Sequence, residues 1–191
     1  MATKNAGKEF EEQLEESAKK LNLFFLRIKD VHIPVELRNR IRLSQNKYDC
    51  LLYNGEVLFA LELKSTASKS VSFDEKIIKQ HQIDNLLVAD GFKGVKAGFI
   101  FNFRDYENKT YFVPIKEFIK YKDIAENQIK EHTYKSKVNK SSISLDICNE
   151  IGIEINNYKK KVKYHYHLND FIVEVIKLKQ EGGGLISHET E

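Results

Sequence analysis

An α/β fold, a mixed β-sheet flanked by helices, is what the sequence predicts, and three features carry that prediction. Phe10, Leu14, Ala18 and Leu21 recur at helical spacing among glutamates and lysines, so residues 6–21 read as an amphipathic helix. Tyr48–Tyr53 and Glu56–Lys64 flank Asn54-Gly55, the dipeptide best suited to a two-residue type I′ hairpin turn. Further on, Phe99–Phe103 and Tyr111–Ile115 form two more strand-like runs around a polar loop, Asp105–Lys109.

The other elements follow in order. Leu23–Ile28 is a short apolar run fit for a strand. Residues 29–46 contain Pro34 and little regular periodicity, and read as a protruding loop or ribbon. Ser72 with Glu75 three residues on has the form of a capping box, opening a helix to about Ala89 that Gly91 ends. Shorter helices are expected at 115–122 and 144–151, and a longer one from Asn169 to Gln180. The resulting organisation is one domain over 1–180, with 29–46 as an insertion and 181–191 as a polar, flexible tail.

Composition removes several classes. With 41% hydrophobic and 31% charged residues, the chain can build a core and is not a disordered segment. No apolar run approaches the ~20 residues of a membrane-spanning helix, and the N-terminus has no apolar signal region, so a cytoplasmic protein is expected. The two cysteines, Cys50 and Cys148, are too few and too distant for a disulfide framework or a cysteine zinc site. They are expected to be reduced structural thiols.

The net charge of +3 is unevenly spread. Between Arg27 and Lys47 six basic residues face two acidic ones, and Arg38, Arg40 and Arg42 lie at its centre. A second run, Lys159-Lys160-Lys161 with Lys163, is interleaved with Tyr158, Tyr164 and Tyr166. Such stretches suit a polyanion, because each phosphate contact releases counterions. A solvated face is the alternative for either run.

A two-residue turn at Asn54-Gly55 would set Asp49 opposite Ala60 and diagonal to Glu62, with Lys64 on the same face. Val57, Phe59, Leu61 and Leu63 would then point the other way, into a core. Two carboxylates converging on an apolar hairpin repel each other unless a cation sits between them. Their oxygens suit a hard ion, Mg²⁺ with Mn²⁺ able to substitute. Lys64 adds a charge able to orient water or stabilise a phosphate. An ion-paired cluster on an exposed sheet face is the alternative reading of the same three side chains.

The segment Tyr48-Asp49-Cys50 … Leu61-Glu62-Leu63-Lys64-Ser65-Thr66 resembles the PD-(D/E)xK core of RecU-type Holliday junction resolvases. Asn5-Ala6-Gly7 with Phe10-Glu11, Phe73 with His81-Gln82-Ile83, Phe99–Phe103 with Tyr111-Phe112, and Lys140-Ser141-Ser142-Ile143 are similar to further family segments, in the same order. The resemblance covers roughly residues 5–151. It implies a restriction-endonuclease-like core and a homodimer that cuts four-way DNA junctions with Mg²⁺, with a recombinase as a further candidate partner. It also implies Asp49 and Glu62 as metal ligands helped by the carbonyl of Leu63, Lys64 as catalytic lysine and Gln82 as a glutamine near the site. Lys140 and the three arginines would contact DNA, and Glu11 would approach the metal from the first helix.

The chain departs from that family at Tyr48, where threonine is usual, and at Ala6, where arginine is usual. Its segment 29–46 is shorter than the family's stalk and has no aromatic residue. A compact phage or mobile-element version is therefore expected. Two other functions fit the same residues: a PD-(D/E)xK nuclease acting on ordinary duplex or single-stranded DNA, and a non-catalytic DNA-binding protein.

Overall fold

The structure, a computed structural model, describes residues 6–29, 36 and 46–182. Helix α1 (Ala6–Lys20) buries Phe10, Leu14 and Ala18 of the expected stripe, while Leu21, its fourth member, follows the helix end and is exposed. Strand β1 (Phe24–Arg27) pairs antiparallel with β2 (Cys50–Tyr53), and β2 pairs antiparallel with β3 (Leu58–Thr66). The chain then crosses one face of the sheet through β4 (Ser70–Ser72) and helix α2 (Gln80–Asp90), and returns as β5 (Val95–Phe103), parallel to β3. Strand β6 (Lys109–Pro114) turns back antiparallel to β5 and leads into α3 (Ile115–Asn127). Strand β7 (Ser142–Ser144) pairs with β4, and after α4 (Leu145–Ile151) the short β8 (Ile153–Glu154) joins β6. A separate hairpin of β9 (Asn157–Lys160) and β10 (Lys163–Tyr166) precedes α5 (Leu168–Gly182).

The main sheet therefore has the order β1-β2-β3-β5-β6-β8 and is mixed. A helix, three antiparallel strands, a crossover helix and a parallel fourth strand make up the α/β architecture, a mixed sheet flanked by helices, that the sequence led one to expect. Strands β3 and β5 are covered on both faces, which is why they read as nearly continuous apolar runs. On one side Phe99, Phe101 and Phe103 pack with Ile83 and Leu86 of α2, Phe118 of α3 and Cys148 of α4. Phe99 and Phe118 approach to 4.6 Å between ring centres. On the other side Phe59, Leu61 and Leu63 pack with Leu14 of α1, Phe171 of α5 and Cys50. Both cysteines are free and fully buried, one in each core, and burial pushes both thiols well up.

Several expectations need correction. The β2–β3 loop has four residues instead of two, because Asn54 Oδ1 accepts from the N–H of Glu56 (3.0 Å) and of Val57 (2.7 Å) and turns the chain through its side chain. Helix α2 begins at Gln80 and not near Ser72. Ser72 belongs to β4, whose Val71 is buried along with the following Phe73, and Glu75 instead accepts the N–H of Gln80 at 3.0 Å. The polar segments 70–72, 142–144, 157–160 and 163–166 are strands that the periodicity did not reveal. Helix α3 continues past residue 122 to Asn127. Most of the expected protruding loop or ribbon, with Arg38, Arg40 and Arg42, lies outside the described residues, as does the tail from 183 onward.

The sheet leaves no room for a side chain at Gly98. A Cβ there would overlap the carbonyl oxygen of Val113 and come within 2.8 Å of Phe112 Cε2, so backbone would have to move. Gly98→Ala should therefore destabilise the fold by about 1–3 kcal/mol, as overpacking does, read as a lower urea midpoint. An unchanged midpoint would mean that β5 and β6 separate more easily than this packing implies.

Candidate active site

The site forms where β2 ends and β3 continues. The ladder's last bonds at this end run from Asp49 N to Leu61 O (3.0 Å) and from Ile28 N to Asp49 O (2.8 Å). The N–H of Leu63 would then face an empty edge, and Asp49 Oδ2 accepts it at 2.8 Å. In a strand the N–H and C=O of one residue point to the same side. The Leu63 carbonyl therefore opens on the edge beside Asp49, although its side chain is buried on the far face.

The observed register pairs Leu51 with Ala60 and Cys50 with Leu61; the ladder ends there, and Asp49 follows with its N–H on Leu61 O and its carboxylate beside that of Glu62. The slip from the expected register is two residues, so every side chain keeps its face. Asp49, Ala60, Glu62 and Lys64 still share one side, and that side lies under α2 and not in open solvent. The exposed-cluster alternative fails on burial, since Glu62 is only 1% exposed.

Gln82, in the first turn of α2, joins the pieces. Its Nε2 donates to Glu62 Oε2 at 2.6 Å, and its Oε1 accepts from Lys64 Nζ at 3.2 Å and from Lys79 N at 3.1 Å. Lys64 Nζ is also 3.5 Å from Glu62 Oε2. Burial and the neighbouring Asp49 charge push the Glu62 carboxyl up to about 8, with Lys64 offsetting only part of that. The donor set is two carboxylates and a main-chain carbonyl. Among the described residues no three His, Cys, Asp or Glu side chains gather around one point. One or two carboxylates with open positions is the usual protein share of a Mg²⁺ site, so these residues fit a hard cation that also takes water and phosphate.

Two openings reach the site. Lys64 lines one of ≈ 460 Å³ with Ser65, Thr66, Ser70, Ser72 and Lys76, and Asp49 lines another of ≈ 440 Å³ with Lys8, Glu11, Arg27 and Lys29. Glu11 thus stands in the same opening as Asp49, where it forms an ion pair with Arg27. Arg27, which the sequence grouped with the polyanion-binding stretch, is 13% exposed and committed to Glu11. Lys140 is exposed, next to Ser141, whose carbonyl accepts from Phe73 N at 2.9 Å, just past the β4 end of the Lys64 opening. Tyr48 reaches the α2 carbonyl of Asn85 at 3.4 Å, a helix-positioning contact with no signal in the sequence.

A search of family models finds no match. Among curated proteins, the SPbeta prophage-derived uncharacterized protein YotM of Bacillus subtilis (strain 168) is 53% identical over 180 residues, covering 94% of this chain and 91% of that protein. The chain belongs to the YotM family. A solved structure of Hjc, a Holliday junction resolvase from Archaeoglobus fulgidus, aligns with a TM-score of 0.47 and 17% identity over 78% of this chain and 95% of that one. A likeness of that size says nothing of substrate or chemistry. The resemblance to RecU-type resolvases rests on its own residues, not on these matches. Among the described residues no helix is long and apolar enough to cross a membrane.

The raised Glu62 carboxyl fixes a sign for metal-free protein. A carboxyl raised in the folded state contributes stability that is fully present below its ordinary value near 4.5 and is lost as pH rises through about 8. In a chelator, the urea midpoint of the protein should therefore fall between pH 6 and pH 9, while Glu62→Gln should lack this decline and be the more stable of the two at pH 9. Parallel declines in both proteins would mean that Glu62 is ionised throughout.

Proposed function

We propose that this protein is a divalent-metal-dependent endodeoxyribonuclease of the PD-(D/E)xK type that resolves four-way DNA junctions by paired symmetric cuts. The observation that carries the proposal is the meeting of Asp49, Glu62, Lys64 and Gln82 at the point where β2 leaves β3, open to two clefts. Asp49, Glu62 and the carbonyl of Leu63 would hold Mg²⁺ or Mn²⁺, which would act as a Lewis acid toward the phosphate and lower the pKa of attacking water.

The remaining work falls to the chain itself. Gln82 fixes the Glu62 carboxylate and leaves Lys64 a defined position at the cleft. There the ammonium can orient water and offset charge growing on the phosphate oxygens. Arg38, Arg40, Arg42 and Lys140 would supply phosphate contacts that set affinity and not chemistry. Hydrolysis adds water across one P–O ester bond, so two symmetric cuts need two copies of the site. The edge strand offers a surface for a second copy: Phe24, Leu26 and Tyr53 lie on one face of the β1–β2 pair and are 56%, 47% and 40% exposed. The junction preference draws on the RecU-type segments, and the prophage origin of YotM agrees with a compact phage-type enzyme.

The test is single-turnover cleavage of a labelled four-way junction, a matched duplex and a single strand with Mg²⁺. The junction should be cut, and chelation should stop the reaction. Asp49→Asn should abolish cleavage while junction binding persists. Lys64→Arg should fold and bind yet cut at least ~100-fold more slowly, because a broad guanidinium cannot replace a compact ammonium beside water and phosphate. Light scattering should give a dimer that Leu26→Asp converts to monomer. Full activity of Asp49→Asn would remove the metal site, and equal cutting of duplex and junction would remove the junction specificity.

A further inference from the structure

The second basic run has a place in the fold that the proposed site does not use. Within 157–166 the β9–β10 hairpin carries four lysines and no acidic residue. Lys163 is held by Glu16 of α1 at 2.5 Å, and Lys159 lies over the Tyr164 ring at 5.4 Å. Among the described residues no acid pairs with Lys159, Lys160 or Lys161, and all three are exposed.

This arrangement is costly for a free surface. Lys160 sits directly opposite Lys163, where like charges destabilise an antiparallel pair. Lys161, at the tip, has a φ of 59°, a conformation that favours glycine. A polyanion would relieve the repulsion.

The hairpin is also mounted on the strand that carries the site. Ser65, the residue after Lys64, donates to Asn102 Oδ1 at 2.8 Å, and Asn102 Nδ2 donates to Asn108 Oδ1 at 2.8 Å. Asn108 Nδ2 in turn donates to Asn157 Oδ1 and to the Tyr166 hydroxyl, each at 3.1 Å, at the base of the hairpin. Asn102 and Asn108 are buried, so the chain of bonds is shielded from water and fixes relative position. Above it runs a groove of ≈ 230 Å³ whose lining includes Ser65, Asn102, Arg104 and Lys159, with one acid, Glu9, which accepts from the Gln13 amide at 3.3 Å. Ser65 lines the Lys64 opening as well, so the two meet at one residue.

We propose that the β9–β10 hairpin, with Arg104 in the connecting groove, is a second DNA-backbone clamp that grips the substrate strand leaving the Lys64 cleft. It rests on the nuclease reading for its occupant, and the hairpin itself lies beyond residue 151, past the segments that resemble RecU-type resolvases.

The experiment measures binding without cleavage, in a chelator, for a four-way junction and a duplex of about 30 base pairs over a salt series, with an RNA duplex of equal length alongside. Lys160→Ala/Lys161→Ala is compared with wild type and with Lys93→Ala/Lys120→Ala, which removes the same charge from positions elsewhere on the surface. The hairpin variant should bind DNA roughly tenfold more weakly at about 0.15 M salt, with a log–log salt slope shallower by about 2, or ~0.9 for each phosphate no longer neutralised. The control variant should stay near wild type. A hairpin variant that matches the control, or one that weakens only on RNA, overturns the clamp. If wild type binds DNA but does not cleave it when Mg²⁺ is restored, the nuclease reading falls, and the same binding comparison still decides the hairpin. If wild type binds no DNA at all, both fall.

Discussion

Strand β3 outlasts its antiparallel neighbour, and the structure around the site follows from how that unequal ending is resolved. Past Leu61 the ladder stops, and a main-chain N–H at the edge of a buried sheet would be left without a partner, at a cost of about 1–3 kcal/mol. The Asp49 carboxylate fills that position at 2.8 Å. Asp49 is therefore held through its own N–H, its own carbonyl and its side chain before any ligand is considered. The parting of the two strands is also what opens the edge to solvent. The same local event thus creates the gap, fixes a carboxylate in it and turns a carbonyl toward it.

Glu62 gives this arrangement its electrostatic tension. A carboxylate with almost no exposure beside a second carboxylate is unfavourable. The fold answers with one amide and one ammonium, from Gln82 and Lys64. Gln82 can serve because α2 starts late: as a residue of the first turn it accepts its own helix's Lys79 N–H with the oxygen that also meets Lys64. Helix start and site are tied through a single side chain. A long helix from Ser72 would have left Gln82 in mid-helix, without the Lys79 N–H for its side-chain oxygen.

The pattern of residues disclosed the face-sharing of Asp49, Glu62 and Lys64, the apolar backing of Phe59, Leu61 and Leu63, and the order of the large elements. Hydrophobic period and side-chain alternation decide these, and both are written along the chain. The loop at Asn54 was misjudged because Asn-Gly serves two turns, one closed by backbone and one by the asparagine side chain, and local sequence does not separate them. An even slip spared the site. Strand β4 was invisible because its partner is distant: it needs β7, far along the chain, and β7 itself reads only as Ser-Ile-Ser. Strands β9 and β10 are neighbours, but the Lys161-Val162 turn between them has no Gly, Asn or Asp to announce it. Arg27 counted as loose charge until Glu11 was placed beside it. The Ser65–Asn102–Asn108–Asn157 chain had no sequence signal, since isolated asparagines look like loop residues.

The two cysteines lie on opposite sides of the sheet, Cys50 among α1 and α5 and Cys148 among α2 and α3. Both are inaccessible and both thiols are held protonated, so neither meets an alkylating reagent while its core is closed. Their labelling rates then become clocks for two separate events. Cys50 reports the loosening of the layer directly behind the acidic pair, and Cys148 reports the layer under the crossover helix. Equal rates would describe a molecule that opens all at once, and unequal rates one that breathes a face at a time, with no cysteine added to the chain.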